Sequence, residues 1–324
     1  MKSLQNTPSV GEVTFRGRPL PQKIIDLITV VDIDMAVDQV TELSFVFDDP
    51  EFKVLRSGIF DLKTKVGYRG LDLIVSVIET NPGAGLGGFN VRCRPASVQK
   101  LKELRGNFVM QNVSPATYVK KECKTAGLDK EPLVQSSPAK KRIARDVREK
   151  GVTYDASSRP SAWTTFQRLA GEMGYMMYEI GGRIYFGKPT WLVQKQPKVE
   201  VAWYPENGKE PFSIPEFRQS VDNEDIEVTL ELPIERTGLV YPGTGLKVTG
   251  YPKYAGTYFI RSVNYPLVGV GNITINASTI RNPKPQKGGD EDGGNNDGGR
   301  YDPNNKPGNG KWRWDEEYGM WRRQ

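Results

Sequence analysis

The stretch SAWTTFQRLAGEMGYMMYEIGGRIYFGKP, residues 161–189, decides how the rest of the chain is read. Trp163, Phe166, Leu169, Ala170 and Met173 recur at helical spacing and fall on one face. Ser161 or Ser158 is placed to cap that helix, since a serine hydroxyl can accept from the free N–H groups of the first turn. Gly174 ends it, because glycine takes a left-handed conformation at little steric cost. Residues 175–180 and 183–186 then read as two strands around Gly181-Gly182, a two-residue hairpin signal. The unit is a helix packed on a hairpin. Its aromatic stripe reads as core, not as a cofactor box.

Toward the N-terminus the period changes from helical to two. GEVTFR (11–16), ITVVDIDM (28–35), TELSFVFDD (41–49), LDLIVSVIET (71–80) and GFNVRCRP (88–95) are all predicted strands. In the fourth, Leu71, Leu73, Val75 and Val77 are expected on one face. Asp48-Asp49-Pro50, Arg69-Gly70 and Asn81-Pro82-Gly83 are turn signals between them. Five short strands so close together predict a small barrel or sandwich. Between this region and the helix-hairpin, Ser97 is expected to cap a helix over residues 98–104. Ser114-Pro115 is expected to open another that carries Cys123 on its apolar stripe and stops at Gly127. Residues 129–150 read as loop with some helix, and the basic run AKKRIARDVREK (139–150) reads as a solvated face.

Toward the C-terminus, residues 191–225 give no firm assignment. IEVTLELP (226–233), GLKVTGYP (245–252), GTYFIRSVNYP (256–266) and VGNITINASTI (270–280) then form a second set of strands. From residue 282 the sequence turns to Gly, Asn, Asp and Pro, a composition too poor in apolar surface to offset its ordering entropy. The last residues, KWRWDEEYGMWRRQ, break that pattern. Trp312, Trp314, Tyr318, Met320 and Trp321 put an apolar cluster on the end of a long tether, and three of the chain's six tryptophans lie there. Such a cluster points to a short docking motif for a partner or a neighbouring copy.

The expected fold is therefore β-rich α+β: two small β-barrel domains flanking a mixed helix-hairpin region, with a flexible C-terminal tail. The domains are 1–95, 96–200 and 201–281, followed by a linker over 282–310 and the Trp-rich motif over 311–324.

Composition narrows the chemistry. The 324 residues include no histidine, where about seven would be ordinary. A Ser-His-Asp triad, a Cys-His dyad and a His-ligated zinc site are thus closed to this chain. Carboxylate-only glycosidases and Ser-Lys hydrolases pass this filter. The pairs Glu224/Asp225 and Asp48/Asp49 read as turn residues. Cys93 and Cys123 are too few and too far apart for a zinc or disulfide framework, and free buried thiols are expected. The net charge of +6 is mild for this length. The basic run lacks interleaved aromatics, so no specific nucleic-acid site is expected. MKSLQNTPSV lacks a signal peptide's apolar core. No apolar run approaches the roughly 18 residues of a membrane span. No cofactor, metal or catalytic residue is expected.

The order β domain, helix-hairpin domain, β domain resembles the tail hub proteins of bacteriophages and related contractile injection machines, the family that includes the late control protein D. Residues 161–189 carry most of the likeness, through a unit of helix, LA-x-x-x-G, aromatic strand, GG, strand and FG. GLKVTGYPKYAGTYFIRSVNYP (245–266) is similar to the family's strand pair in the last barrel. SFVFDDPEFKVLRSGIFDLKTKVGYRG (44–70) is similar to its first barrel. The likeness covers most of residues 10–281 and stops at the tail.

This resemblance implies a homotrimeric ring whose six small barrels match a sixfold tail tube above and a threefold fibre or spike below. Its partners would be a tail tube or distal tail protein, a tape-measure protein and a central fibre or spike, and its location the tail tip of a virion assembled in the host cytoplasm. The lumen, about 40 Å clear, would pass tape-measure protein and then DNA. No enzymatic activity is expected, since no stretch of about 100 residues remains for a catalytic domain. The alternatives are a minor tail protein that binds a host receptor or glycan through the aromatic tail, and a tail-associated cell-wall hydrolase.

Overall fold

The computed structural model describes residues 10–81, 87–106, 108–137, 139–145, 160–202, 215–219, 225–233, 240–251, 253–268 and 272–285, with the backbone of 312–315 and 320–323. There are two compact units, Met1–Gln286 and Lys287–Gln324.

The first unit opens with a 3-10 turn (Val10–Glu12), the short hairpin of β1 (Thr14–Phe15) and β2 (Arg18–Pro19), and the helical turn α1 (Gln22–Ile25). Next come β3 (Ile28–Ala36), β4 (Glu42–Asp48), the helical turn α2 (Lys53–Arg56), β5 (Lys65–Tyr68), β6 (Leu71–Asn81) and β7 (Gly88–Pro95). The middle carries α3 (Ala96–Glu103), β8 (Val109–Val113), α4 (Pro115–Thr125), β9 (Leu133–Val134) and β10 (Lys141–Ala144). It continues with α5 (Ala162–Met173), β11 (Met176–Ile180), β12 (Arg183–Gly187) and α6 (Pro189–Lys195). Last are β13 (Lys198–Ala202), β14 (Glu216–Gln219), β15 (Ile226–Pro233), β16 (Gly245–Thr249), β17 (Gly256–Pro266) and β18 (Asn272–Thr279). The fold is β-rich α+β.

The helix-hairpin forms as its sequence dictates. Ser161 caps α5 in a reciprocal capping box with Thr164, and Gly174 ends the helix at φ 61°. Trp163, Phe166, Leu169 and Ala170 are buried on one face. β11 and β12 pair antiparallel around Gly181-Gly182. Ser114 caps α4, accepting from the Thr117 N–H at 3.1 Å. Together α3, α4, α5 and β12 enclose a core that includes Leu101, Cys123, Phe166 and Phe186.

The two β regions do not stand apart as the reading of two barrels has it. They are hydrogen-bonded into one thirteen-stranded sheet, in the order β14-β15-β18-β17-β3-β4-β7-β6-β5-β1-β2, with β13 and β16 branching from β17. The long strand β17 makes the join. Its first residues pair with β16, and its last, Ser262–Pro266, pair with β3. A bulge between Ile260 and Ser262 re-aims the strand between these partners. Apolar residues from both regions, Phe45 and Val91 as well as Ile275 and Val263, fill one continuous core. Phe15, Phe45, Phe47, Phe60 and Phe89 stack within it at ring-centroid distances of 4.6–6.4 Å.

Four local readings are corrected. Residues 11–16 are mostly a 3-10 turn and a tight hairpin, since Arg16 and Gly17 take positive φ. Val77 leaves the face of Leu71, Leu73 and Val75 because a bulge follows Val75. Ser97 does not cap α3, whose N-cap is Pro95, and its hydroxyl instead bonds Glu179 at 3.0 Å. Finally, residues 141–144 form strand β10, paired with β8. Ile143 and Ala144 there are buried, and so is Arg145 beside them. The end of the basic run, residues 146–150, lies outside the described residues.

In the second unit, β19 (Trp312–Asp315) and β20 (Met320–Arg323) pair antiparallel as a hairpin.

Candidate functional site

Alternation in the shared sheet separates two faces. On β3, β17 and β18, Ile33, Met35, Val263, Tyr265, Ile273 and Ile275 turn inward. The residues between them turn outward and are polar. Strand register places Glu231, Thr274, Asn264, Asp34 and Glu42 side by side across β15, β18, β17, β3 and β4. A polar row thus crosses the seam between the two β regions without a break.

Hydrogen bonds and ion pairs tie this face together. Asn264 Nδ2 donates to Asp34 Oδ1 at 2.7 Å across the seam. Thr229 Oγ1 donates to Asn276 Oδ1 at 3.2 Å, and Asn276 Nδ2 to Ser262 Oγ at 3.1 Å. Arg94 meets Glu42 at 3.0 Å, and Arg92 meets Glu79 at 2.9 Å. Arg92 and Arg94 are paired with carboxylates of the same face, and Asp32, Asp34 and Glu231 outweigh the charge of Arg261 at the seam, which gives the face an acidic bias. Partial burial, with the nearby Asp34 charge, raises the pKa of the Asp32 carboxyl. An open cleft of about 730 Å³ runs along the seam, lined by Asp34, Asp38, Glu42, Arg94, Arg261 and Asn264.

This face offers a broad polar surface. Among the described residues, no three His, Cys, Asp or Glu side chains converge as metal ligands. Asp49, one of the carboxylates singled out in the sequence, serves the fold. It accepts from the backbone N–H groups of Lys53 and Val54 at 3.0 and 2.8 Å and so anchors α2. Glu224 lies outside the described residues. Cys93 and Cys123 are free and buried. Burial pushes the Cys123 thiol up to about 12 and raises that of Cys93 further.

The Trp-rich motif is a strand pair in its backbone, which the sequence reading lacks. Register sets Trp314 opposite Trp321, Trp312 opposite Arg323, and Asp315 opposite Met320. Four of the five candidate docking residues are thus brought onto one hairpin, and Tyr318 lies outside the described residues. The alternation in WRWD is the available signal. The polar seam escapes the sequence for another reason: its two strands are some 230 positions apart, and alternation does not name a strand's partner.

No known family profile matches the chain, and no curated relative matches it. Its fold does have solved counterparts. A tail protein from Neisseria meningitidis MC58 superposes with a TM-score of 0.53 at 12% identity, over 82% of this chain and 95% of that one. The 43 kDa tail protein of prophage MuSo2 from Shewanella oneidensis gives 0.50 at 11%, over 83% and 97%. A component of the type VI secretion system from E. coli, described as structurally similar to the T4 bacteriophage tail proteins gp27 and gp5, gives 0.50 at 12%, over 84% and 76%. At such identities the likeness establishes the fold, which is that of these tail and secretion-machine proteins.

Proposed function

We propose that this chain is a structural hub subunit of a phage-type tail tip and has no enzymatic activity. Three copies form a ring, and the polar face of the shared sheet lines its channel. The observation that carries this reading is the unbroken, hydrogen-bonded and acid-leaning row across the seam. Such a face stays wetted and repels the phosphate backbone, so DNA passes without sticking. The two halves of the sheet stand for the two barrel-like units of each copy, six in the ring, and meet a sixfold tube. A tail tube or distal tail protein, a tape-measure protein and a central fibre or spike are its partners, and the virion tail tip its location. Electron microscopy of the assembled protein tests the proposal. A threefold ring around an open axis is expected, and closed single-copy particles would overturn it.

The C-terminal hairpin, with Trp312, Trp314, Tyr318, Met320 and Trp321, is the docking arm in this reading. The linker before it, 282–310, would reach about 30 Å if it behaves as a flexible coil of roughly 30 residues. Deleting residues 311–324 is expected to abolish particle assembly. Intact particles that no longer adsorb would instead assign the arm to a host receptor or glycan. A cell-wall zymogram covers the hydrolase alternative, and a cleared band would refute the non-enzymatic reading.

A further inference from the structure

Strand β11 is wedged between the two β regions, and two neighbouring residues on it reach in different directions. Tyr178 stacks on Tyr185 with centroids 4.9 Å apart. Its hydroxyl lies over Gly243, where a Cβ would collide with it. Gln196 Nε2 donates both to that hydroxyl, at 3.2 Å, and to the Gly243 carbonyl, at 2.9 Å.

Glu179 reaches to the other region and is 2% exposed. Its Oε1 accepts from Ser97 Oγ on α3 at 3.0 Å and from the Gly182 N–H at the hairpin tip at 2.5 Å. Its Oε2 is buried without a hydrogen-bond partner. The tip itself abuts the β5–β6 turn: a Cβ on Gly181 would lie 3.9 Å from Leu71 Cδ2 and 4.0 Å from the Gly70 carbonyl. The charged and titratable groups around the carboxyl are Asp72 on β6, Lys130 after α4, and Tyr185 on β12, which is itself bonded to Arg183. Lys130 Nζ donates to the Gly181 carbonyl at 2.5 Å.

We propose that Glu179 is a protonation-controlled latch, holding the hairpin tip against α3 and the first β region when neutral and loosening that joint when ionised. The cause is the unpaired oxygen. Ionisation places charge on a buried atom with no donor, and opening the joint lets water supply one. Burial raises the carboxyl to about 7 against the opposing pull of the Gly182 N–H, the Ser97 hydroxyl and Lys130. Opened, the group returns to the ordinary carboxylate range. Between those limits opening releases a proton, so the opening equilibrium rises with pH by up to about tenfold per unit and levels off above neutral.

Amide exchange on the full chain, corrected for intrinsic rates, tests this between about pH 5 and pH 8.5. In the wild type, opening of residues 96–103 and 176–187 is expected to climb with pH and then level. Glu179→Gln should flatten the profile to less than about twofold, because it has no proton to lose. Ser97→Ala removes a donor that favours the charged form, and should move the levelling point to higher pH. A flat wild-type profile, a Gln variant with the wild-type slope, or an unmoved levelling point in Ser97→Ala would overturn the latch. Should Glu179→Gln not fold, the Ser97→Ala profile decides alone.

Discussion

At the scale of single residues, the most deeply buried ion pair among the described residues is that of Glu122 and Arg145. Arg145 Nη2 and Nε donate to Glu122 Oε2 at 2.6 and 3.0 Å, and Nη1 donates to the Arg105 carbonyl at 3.0 Å. The guanidinium also lies over the Phe108 ring, 5.2 Å from its centroid. Removing one partner leaves the other charged in the core. Arg145→Ala is therefore expected to lower stability in urea unfolding by about 3–5 kcal/mol, whereas Arg145→Met combined with Glu122→Leu should cost far less. The sequence reading puts this arginine in a solvated basic run, because a charge that will be buried and paired looks in sequence like any other. Ser97 misleads for a similar reason. A serine before a helical pattern is usually a cap, and only the fold brings Glu179 to its hydroxyl. Gly243 carries a further prediction. It combines φ 81° with close contact to Tyr178, so Gly243→Ala should lower stability by about 1–3 kcal/mol from the backbone alone, read in urea unfolding.

At the scale of elements, legibility follows the range of the interactions. The α5 helix and its hairpin depend on signals within thirty residues, and cap, stripe, glycine stop and Gly-Gly turn all appear where the sequence puts them. Phe166→Ala should cost about 3–5 kcal/mol and Ser161→Ala about 1 kcal/mol, both read from thermal unfolding. The strands β3, β4, β6, β7, β15, β17 and β18 are equally legible, since each carries a local period-two run, although bulges interrupt it in β3, β6 and β17. Their partners are not. Nothing in ITVVDIDM names residues 262–266 as its neighbour, and nothing in GTYFIRSVNYP marks the bulge that sends it from β16 to β3. The polar seam, as the product of such a pairing, is illegible for the same reason, while the Trp-rich residues stand out by composition alone and only the alternation in WRWD hints at their strand pairing.

At the scale of the whole molecule, two separate β domains and one shared sheet predict different unfolding. Separate barrels would each bury a core and melt independently. Here Val263 and Ile275 from the late strands belong to the same core as Phe45, Val91 and Cys93 from the early ones. A cavity made in the second region should therefore weaken the first. The two free cysteines make this measurable, because Cys93 lies in the shared core and Cys123 in the core around α5. Both thiols are buried and have raised pKa values, so neither reacts until its core opens. In a Cys123→Ala background, Ile275→Ala should cost about 2–5 kcal/mol and speed pulsed thiol labelling of Cys93 in proportion. Labelling of Cys93 that ignores Ile275→Ala would mean that the two β regions open independently, as separate barrels do, with the β17–β3 pairing too weak to couple them. Coupled labelling would mean that force or distortion applied at one end of the sheet reaches the other through that single strand. The hub proposed above, held by a tube on one side and a fibre on the other, would need this coupling.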